Sequence, residues 1–306
     1  MDNISYRDKI EALLGYYKFS TKLAEALGVH RMSIPNWRDD RVEISKENRL
    51  SIDVLYATHC IIPSLTKVEV DTMVRKLERE DHSPFLDSVD IVTEVSKKSA
   101  FGSLEVEVAD TCEKLFYKVV EESYIEQDID KRKFLEMSNL AFLTKQILID
   151  TKESRITSID SELIRKWHFG LMTGIRDDAG RYSTKMRIIP DTQIILTSPA
   201  DIPEEVEYWV GKYSQVKSIY DIAYAHEHFE LIHPFGDGNG RVGRLIMAHQ
   251  FFKLGLLPPM IDGQNKALYY ATLEKAQVDG DIIPLVYFLT QAVERMRGLY
   301  GGSIKR

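Results

Sequence analysis

The chain has 306 residues, enough for about two domains, with 44% hydrophobic and 28% charged residues, as in ordinary globular proteins. No run of about 18 apolar residues occurs, which excludes a transmembrane helix, and the opening Met1-Asp-Asn-Ile-Ser-Tyr6 lacks the basic and apolar regions of a secretory signal. The net charge is −7; residues 1–63 hold nine basic and nine acidic residues, so the remainder carries all of it. A strong DNA-binding domain is usually basic. Cys60 and Cys112 lie 52 residues apart with no CxxC spacing. They suit a reducing cytoplasm and argue against a zinc site or a disulfide framework.

Tyr6 to Tyr17 places Ile10, Leu13, Leu14 and Tyr17 at helical spacing. A second helix follows from Ser20 as N-cap to Gly28 as stop. A third, about Met32 to Arg38, carries Ile34 and Trp37 inward. Helix, glycine turn, helix is a helix-turn-helix-like pattern. Pro35 is tolerable there only in the first turn. His30, Arg31, Ser33, Asn36 and Arg38 are its candidate DNA contacts, and a small helical interaction domain is the competing reading. Pro63-Ser64 marks a boundary. Val68 to Glu80 predicts a charged connecting helix, followed by Ser83-Pro84. From about residue 86 the pattern is helical. The exception is Arg187-Ile-Ile-Pro-Asp-Thr-Gln-Ile-Ile-Leu196, β-branched and broken by Pro-Asp, which predicts a small hairpin. Helices are predicted at about 203–214, at 217–232 and from near Gly240 to Leu254.

Between the last two lies His233-Pro-Phe-Gly-Asp-Gly-Asn-Gly-Arg241. The preceding helix delivers His233 to a proline turn. Gly236, Gly238 and Gly240 permit positive φ and close backbone approach. Their N–H groups form an anion nest that continues into the next helix N-terminus. Arg241 and Arg244, three apart, share one face of its first turn and can grip phosphates. Asp237 supplies a hard oxygen ligand for Mg²⁺. A base, a metal ligand, an oxyanion cradle and two phosphate clamps suit in-line displacement at phosphorus. Gly238-Asn-Gly-Arg-Val-Gly243 also satisfies GxGxxG, with Asp262 downstream. A dinucleotide fold needs a strand before the loop, however, and the preceding period is helical. The Gly-Lys-Ser/Thr of a Walker A loop is missing. A plain glycine turn between helices is the remaining alternative. His226, His228 and His233 do not make a zinc set, since positions two apart on a helix diverge.

Here the sequence resembles the Fic family. Its motif, His-x-Phe-x-Asp/Glu-Gly-Asn-Gly-Arg-x-x-Arg, is met at all its fixed positions by His233, Phe235, Asp237, Gly238, Asn239, Gly240, Arg241 and Arg244. Ala225–Ile232, Ala179-Gly-Arg-Tyr182 with the predicted hairpin, and Tyr269-Tyr-Ala-Thr-Leu273 extend the resemblance over roughly 95–295. It implies a mainly α fold: a Fic-type helical core with a small β-hairpin flap, plus the N-terminal helix-turn-helix-like domain. The expected division is 1–63, a connecting region 64–94, and a Fic domain 95–306.

The resemblance implies protein adenylyltransfer from ATP to a Ser, Thr or Tyr hydroxyl. His233 would be the general base. Asp237 would hold Mg²⁺. Gly238, Asn239 and Gly240 would hold phosphate oxygens, with Val242 and Gly243 continuing the nucleotide segment and Arg241 and Arg244 gripping the outer phosphates. Arg187, Ile188, Ile189 and Pro190 would pair with the target backbone by strand addition and touch nucleotide. Tyr269 and Gln277 match adenine-pocket positions. A phosphotransferase relative carries Lys at the second motif glycine, so Gly240 favours AMP transfer. Many relatives carry an inhibitory Ser/Thr-x-x-x-Glu-Gly/Asn helix. Of Thr21/Glu25, Ser103/Glu107 and Ser158/Glu162, the Ser103/Glu107 pair matches its position, on a helix near 99–116, with Val108 replacing Gly or Asn. A solvated acidic face is the competing reading. The expected partners are ATP, an unknown hydroxyl-bearing protein or the chain itself, with DNA through 20–38 and a homodimer left open, in the cytoplasm and without a membrane. The alternative function is a DNA-binding regulator with the Fic module as sensor.

Overall fold

The computed structural model describes residues 4–108, 111–122, 130–189 and 192–300. The described residues are helical, joined by turns and irregular segments. The helices are α1 (Tyr6–Tyr17), α2 (Ser20–Ala26), α3 (Ser33–Arg38), α4 (Lys46–Tyr56), α5 (Lys67–Arg79), α6 (Ser83–Leu86), α7 (Val89–Glu107), α8 (Glu113–Glu122) and α9 (Lys131–Lys152). They continue with α10 (Ser161–Met172), α11 (Ile202–Tyr213), α12 (Ile219–Ile232), α13 (Asn239–Lys253), α14 (Lys266–Asp279) and α15 (Ile283–Tyr300). Side-chain caps start many of them. Ser5, Ser45, Asp160 and Ser218 each accept a backbone N–H three residues on. Thr66 and Glu69 form a reciprocal capping box at α5.

Two compact units form. One holds the residues up to Asp71 together with Gln264–Phe288; the other holds Thr72–Gly263 and the chain from Leu289. The first unit packs Ile10, Leu13, Leu23, Ile34, Trp37 and Ile52 together. Pro35 is the third residue of α3, where its missing N–H has no helical partner to lose. Lys9 is only 5% exposed, a burial offset by its 2.7 Å pair with Asp53. In this unit α14 packs on α4.

The second unit is built around α13, whose residues from Val242 to Phe252 are all buried. The apolar residues of α13 face every side, and the polar ones among them find partners: Arg244 meets Ser103, His249 meets Thr151 and Gln250 donates to Tyr213 O. α9 packs against α7, α8, α10 and α13, while α12 lies between α11 and α13. Trp209, fully buried, donates its indole N–H to the Ala225 carbonyl at 2.7 Å.

The expected hairpin at 187–196 does not form, which corrects the flap in the predicted fold class. Among the described residues no strand occurs, and 187–189 and 192–196 are irregular. Pro190 and Asp191 lie outside the described residues. Ile188 and Ile195 are 85% and 89% exposed, so no packing rewards their β-branched side chains. Strand preference is a fit to a half-buried pleated surface, and a lone two-stranded hairpin is marginal. Thr192 instead turns its hydroxyl onto the Ile189 carbonyl at 3.0 Å. The segment is pinned at its ends: Ser183 N–H donates to Pro234 O at 2.8 Å and Thr197 N–H to Leu231 O at 3.1 Å. An antiparallel bridge joins Tyr182 to Phe235.

Candidate active site

α12 ends at His233, whose φ of 48° and ψ of 54° are left-handed. A non-glycine residue here is uncommon and sharply turns the chain. The His233 N–H closes the helix onto Phe229 O at 3.0 Å, and its Nδ1 faces Glu230 O at 3.4 Å. Burial pushes the imidazole below its usual range; the Arg187 charge adds to this, and the Glu230 carbonyl opposes it. The loop is then locked from inside. Asn239 Oδ1 accepts the Phe235 N–H at 2.8 Å, and its Nδ2 donates to Phe235 O at 2.9 Å. The Asn239 amide is thereby consumed by loop closure, leaving its backbone N–H for an anion. Gly238, at φ 81°, turns the chain into α13. Val242 N–H makes the first bond of that turn, to Gly238 O. The N–H groups of Asn239, Gly240 and Arg241 precede it, at the positive end of the helix dipole.

Asp237 stands at the rim. Its Oδ1 accepts the Gly238 N–H at 2.7 Å and an Arg241 N–H at 3.2 Å; its Oδ2 accepts from Arg132 at 3.3 Å. Arg241 is 3% exposed, and its Nε and Nη1 make no hydrogen bond among the described residues. Buried donors left open are costly unless an anion meets them. Arg244, from the next turn, donates to Glu107 Oε1 at 2.7 Å, to Ser103 Oγ at 2.8 Å and to Ser103 O at 3.1 Å. The predicted acid and hydroxyl thus both reach this guanidinium. A Cβ on Gly240 would stand 2.5 Å from Glu107 Oε1, so the carboxylate rests on the first turn of α13. Burial pushes the Glu107 carboxyl up, but Arg244, with help from Arg241, outweighs this and holds it below the usual range. Val108 ends α7 at φ −109°, a conformation that needs no glycine.

The remaining predicted residues fall on several elements. Val242 is core, and Gly243 lies where a side chain would overlap Glu230 on α12. Arg187 reaches the loop: a Cβ on Gly236 would lie 2.9 Å from its Nη2. Ile188 faces outward and Ile189 is half-buried. Tyr269 and Gln277 lie on α14, in the other unit. His30 and Arg31 are exposed, and Ser33 and Asn36 half-buried, at a six-residue α3; Arg38 pairs with Asp39.

Four residues escape the sequence reading. His168 on α10 is fully buried, meets Asp237 O with Nε2 at 3.0 Å and accepts the Gly180 N–H on Nδ1 at 2.8 Å. Its ring stacks on Phe235 with centroids 3.8 Å apart. Those partners require a neutral, Nε2-protonated ring, and burial pushes it down to about 4. Arg132 and Glu136, on α9, reach Asp237 and Arg241. Glu230 is buried beneath α13, and burial pushes it up to about 8 against the pull of Arg244. A histidine or glutamate on an apolar helical face is the only local signal for His168 and Glu230. An i,i+4 Arg–Glu pair resembles any solvated helix face.

His168 carries a pH prediction. Its folded value lies below the unfolded one, so the unfolded state binds more protons as pH falls from about 6.5 towards 4, and stability is lost. The loss from this group is roughly 2 kcal/mol between pH 6.5 and 5. Glu227 and Glu230, pushed up to about 7 and about 8, act oppositely over that range. The difference between wild type and His168→Phe in thermal unfolding isolates the histidine. The wild-type advantage should shrink on acidification from pH 7 to 5; a constant gap would refute a neutral His168.

Comparison with known proteins locates this arrangement. Residues 158–251 match the family model described as Fic/DOC family. A stretch of 104 residues is 36% identical to the protein adenylyltransferase Fic of Drosophila mojavensis, covering 33% of this chain and 20% of that protein. A stretch of 78 residues is 42% identical to the Aedes aegypti protein of the same name, covering 26% and 15%. The matches span a fifth or less of these relatives' length. The solved structure of Fic-1 (residues 134–508) from C. elegans has a similar fold, with a TM-score of 0.61 and 17% identity over 97% of this chain and 98% of that one. The matched segment runs from just before α10 into α13 and contains the whole of the loop.

Proposed function

We propose that the chain is a protein adenylyltransferase that moves AMP from ATP onto a protein hydroxyl. The observation that carries this reading is the loop itself: a left-handed His233, the first N–H groups of α13, and a buried Arg241 whose Nε and Nη1 make no hydrogen bond among the described residues, Nη1 standing 3.7 Å from Glu136. His233, kept neutral by burial, takes the proton from a Ser, Thr or Tyr hydroxyl. That oxygen attacks the α-phosphorus in line, the bond to the β-phosphate breaks, and pyrophosphate leaves. The N–H groups of Asn239, Gly240 and Arg241 hold phosphate oxygens, and Arg241 takes charge developing on the leaving group.

The residues fit a Mg²⁺ ion of the nucleotide-bound kind. Among the described residues no group of three or more His, Cys, Asp or Glu could cage a metal. Mg²⁺ typically takes one or two carboxylates and completes its shell with phosphates and water. Asp237 offers one carboxylate at the anion site, with Oδ2 on the side away from the loop's own hydrogen bonds. When bound, the ion would supply charge neutralisation between phosphates.

A built-in brake belongs to the same proposal. Glu107 on Gly240 and Arg244 occupies charge and space that outer phosphates would need, which supports Glu107 and Ser103 as inhibitory residues. The test of the reaction uses ATP labelled separately at the α- and γ-phosphates, with wild type and Glu107→Gly, alone and with a cell lysate. Covalent label should come from the α-phosphate alone. Transfer from the γ-phosphate, or from neither, would overturn the reading.

A further inference from the structure

Of Asp237's two carboxylate oxygens, only Oδ2 is spared by the loop, and a residue from outside the motif sits on it. Oδ1 already accepts Gly238 N–H and Arg241 Nη2. Arg132 Nη2 donates to Oδ2 at 3.3 Å from 105 residues away in sequence. Arg132 stands in the first turn of α9, where Asp130 caps the helix. One turn on, Glu136 accepts from Arg132 Nε at 3.1 Å and lies 3.7 Å from Arg241 Nη1. Glu136 is only 7% exposed, whereas the Arg132 side chain is 59% exposed. Carboxylates and guanidiniums therefore alternate from Glu136 to both arginines and on to Asp237. One guanidinium, Arg241, is buried in the core; the other is mostly exposed at the end of a long side chain.

We infer that Arg132 is a metal-gating residue: its guanidinium holds the Asp237 oxygen that a divalent cation needs, and loading displaces it. A guanidinium and a divalent cation drawn to one carboxylate oxygen repel each other, so a guanidinium resting on that oxygen raises the cation concentration needed to load it, and the bound cation weakens the guanidinium's hold. Glu136 receives the displaced side chain and keeps Arg241 in place. Arg132 thus sets the metal concentration at which the site loads, without touching the reacting atoms. This rests on the nucleotide reading of the loop given above.

The test is calorimetric titration of the full chain with the β,γ-imido analogue of ATP across a series of Mn²⁺ concentrations. Wild type should bind the analogue in a Mn²⁺-dependent way, and Asp237→Ala should lose that dependence. Arg132→Gln should reach half-maximal binding at about 2- to 5-fold lower Mn²⁺, the scale of a partly exposed ion pair. Arg132→Lys, which keeps the charge, should move back towards wild type. An Arg132→Gln requirement for Mn²⁺ equal to or above that of wild type would overturn the inference while leaving the nucleotide site intact. Absence of any analogue binding by wild type and by Glu107→Gly alike would instead overturn the nucleotide reading, and the inference with it.

Discussion

Replacing His233 should lower AMP transfer by about 10²- to 10⁴-fold, the usual contribution of a positioned general base, while leaving nucleotide affinity unchanged. The imidazole is placed for the role by the backbone. The left-handed turn at φ 48° lifts it off α12, and Nδ1 faces the Glu230 carbonyl at 3.4 Å. With Nδ1–H donating there, Nε2 is the unprotonated nitrogen presented to substrate. Alanine in a left-handed turn costs about 1 kcal/mol or more, so a loss in His233→Ala could have a backbone component. Asparagine adopts that conformation readily, and His233→Asn removes the base while preserving the turn. Both variants should show the same loss of α-phosphate label with normal binding of the imido analogue. Burial holds the His233 value below 6.5, so the acid limb of the rate profile should also lie below 6.5. Retention of wild-type labelling in His233→Asn would remove His233 from the chemistry.

Glu107→Gly should raise labelling by about 10- to 100-fold, equivalent to a charge-assisted hydrogen bond of 1.5–3 kcal/mol that no longer opposes phosphate. The carboxylate is a strong competitor because it contacts both Arg244, at 2.7 Å, and the N-terminal turn of α13 at Gly240. The Arg244 side chain is 6% exposed and that of Glu107 30%, so water screens the pair only from the carboxylate side. Glycine at Glu107 falls at the last residue of α7, where helix propensity weighs least. Glu107→Gln keeps the size but not the charge and should give an intermediate gain. Equal label in wild type and Glu107→Gly, measured with α-labelled ATP on the same targets, would sink the inhibitory reading.

The two outcomes are coupled through α13. The loop that begins at His233 leads into it, its N–H groups lie at its start, and Arg244 lies one turn in, where Ser103 and Glu107 of α7 meet it. Combining Glu107→Gly with His233→Asn should leave labelling as low as His233→Asn alone, because relief of the brake has no chemistry to release.

The sequence by itself determined what depends on neighbours along the chain. The His233–Arg244 loop is a local object: its turn, its Asn239 clamp and its helix start involve residues within five positions of one another. The same holds for Ile34 and Trp37 facing inward, whereas Ser20, expected as the N-cap of α2, is its first residue and Phe19 precedes it without a side-chain cap. Tertiary structure alone decided the rest. The 187–196 segment has the composition of a hairpin, yet Ile188 and Ile195 meet no surface, and β preference has no force without one. The amide of Asn239 carries no mark in sequence that it closes the loop instead of facing a ligand. Arg132, Glu136 and His168 reach Asp237 and Arg241 over 69 to 105 residues. Such contacts leave no periodic trace, because a buried histidine and an i,i+4 ion pair look alike in sequence wherever the fold places them.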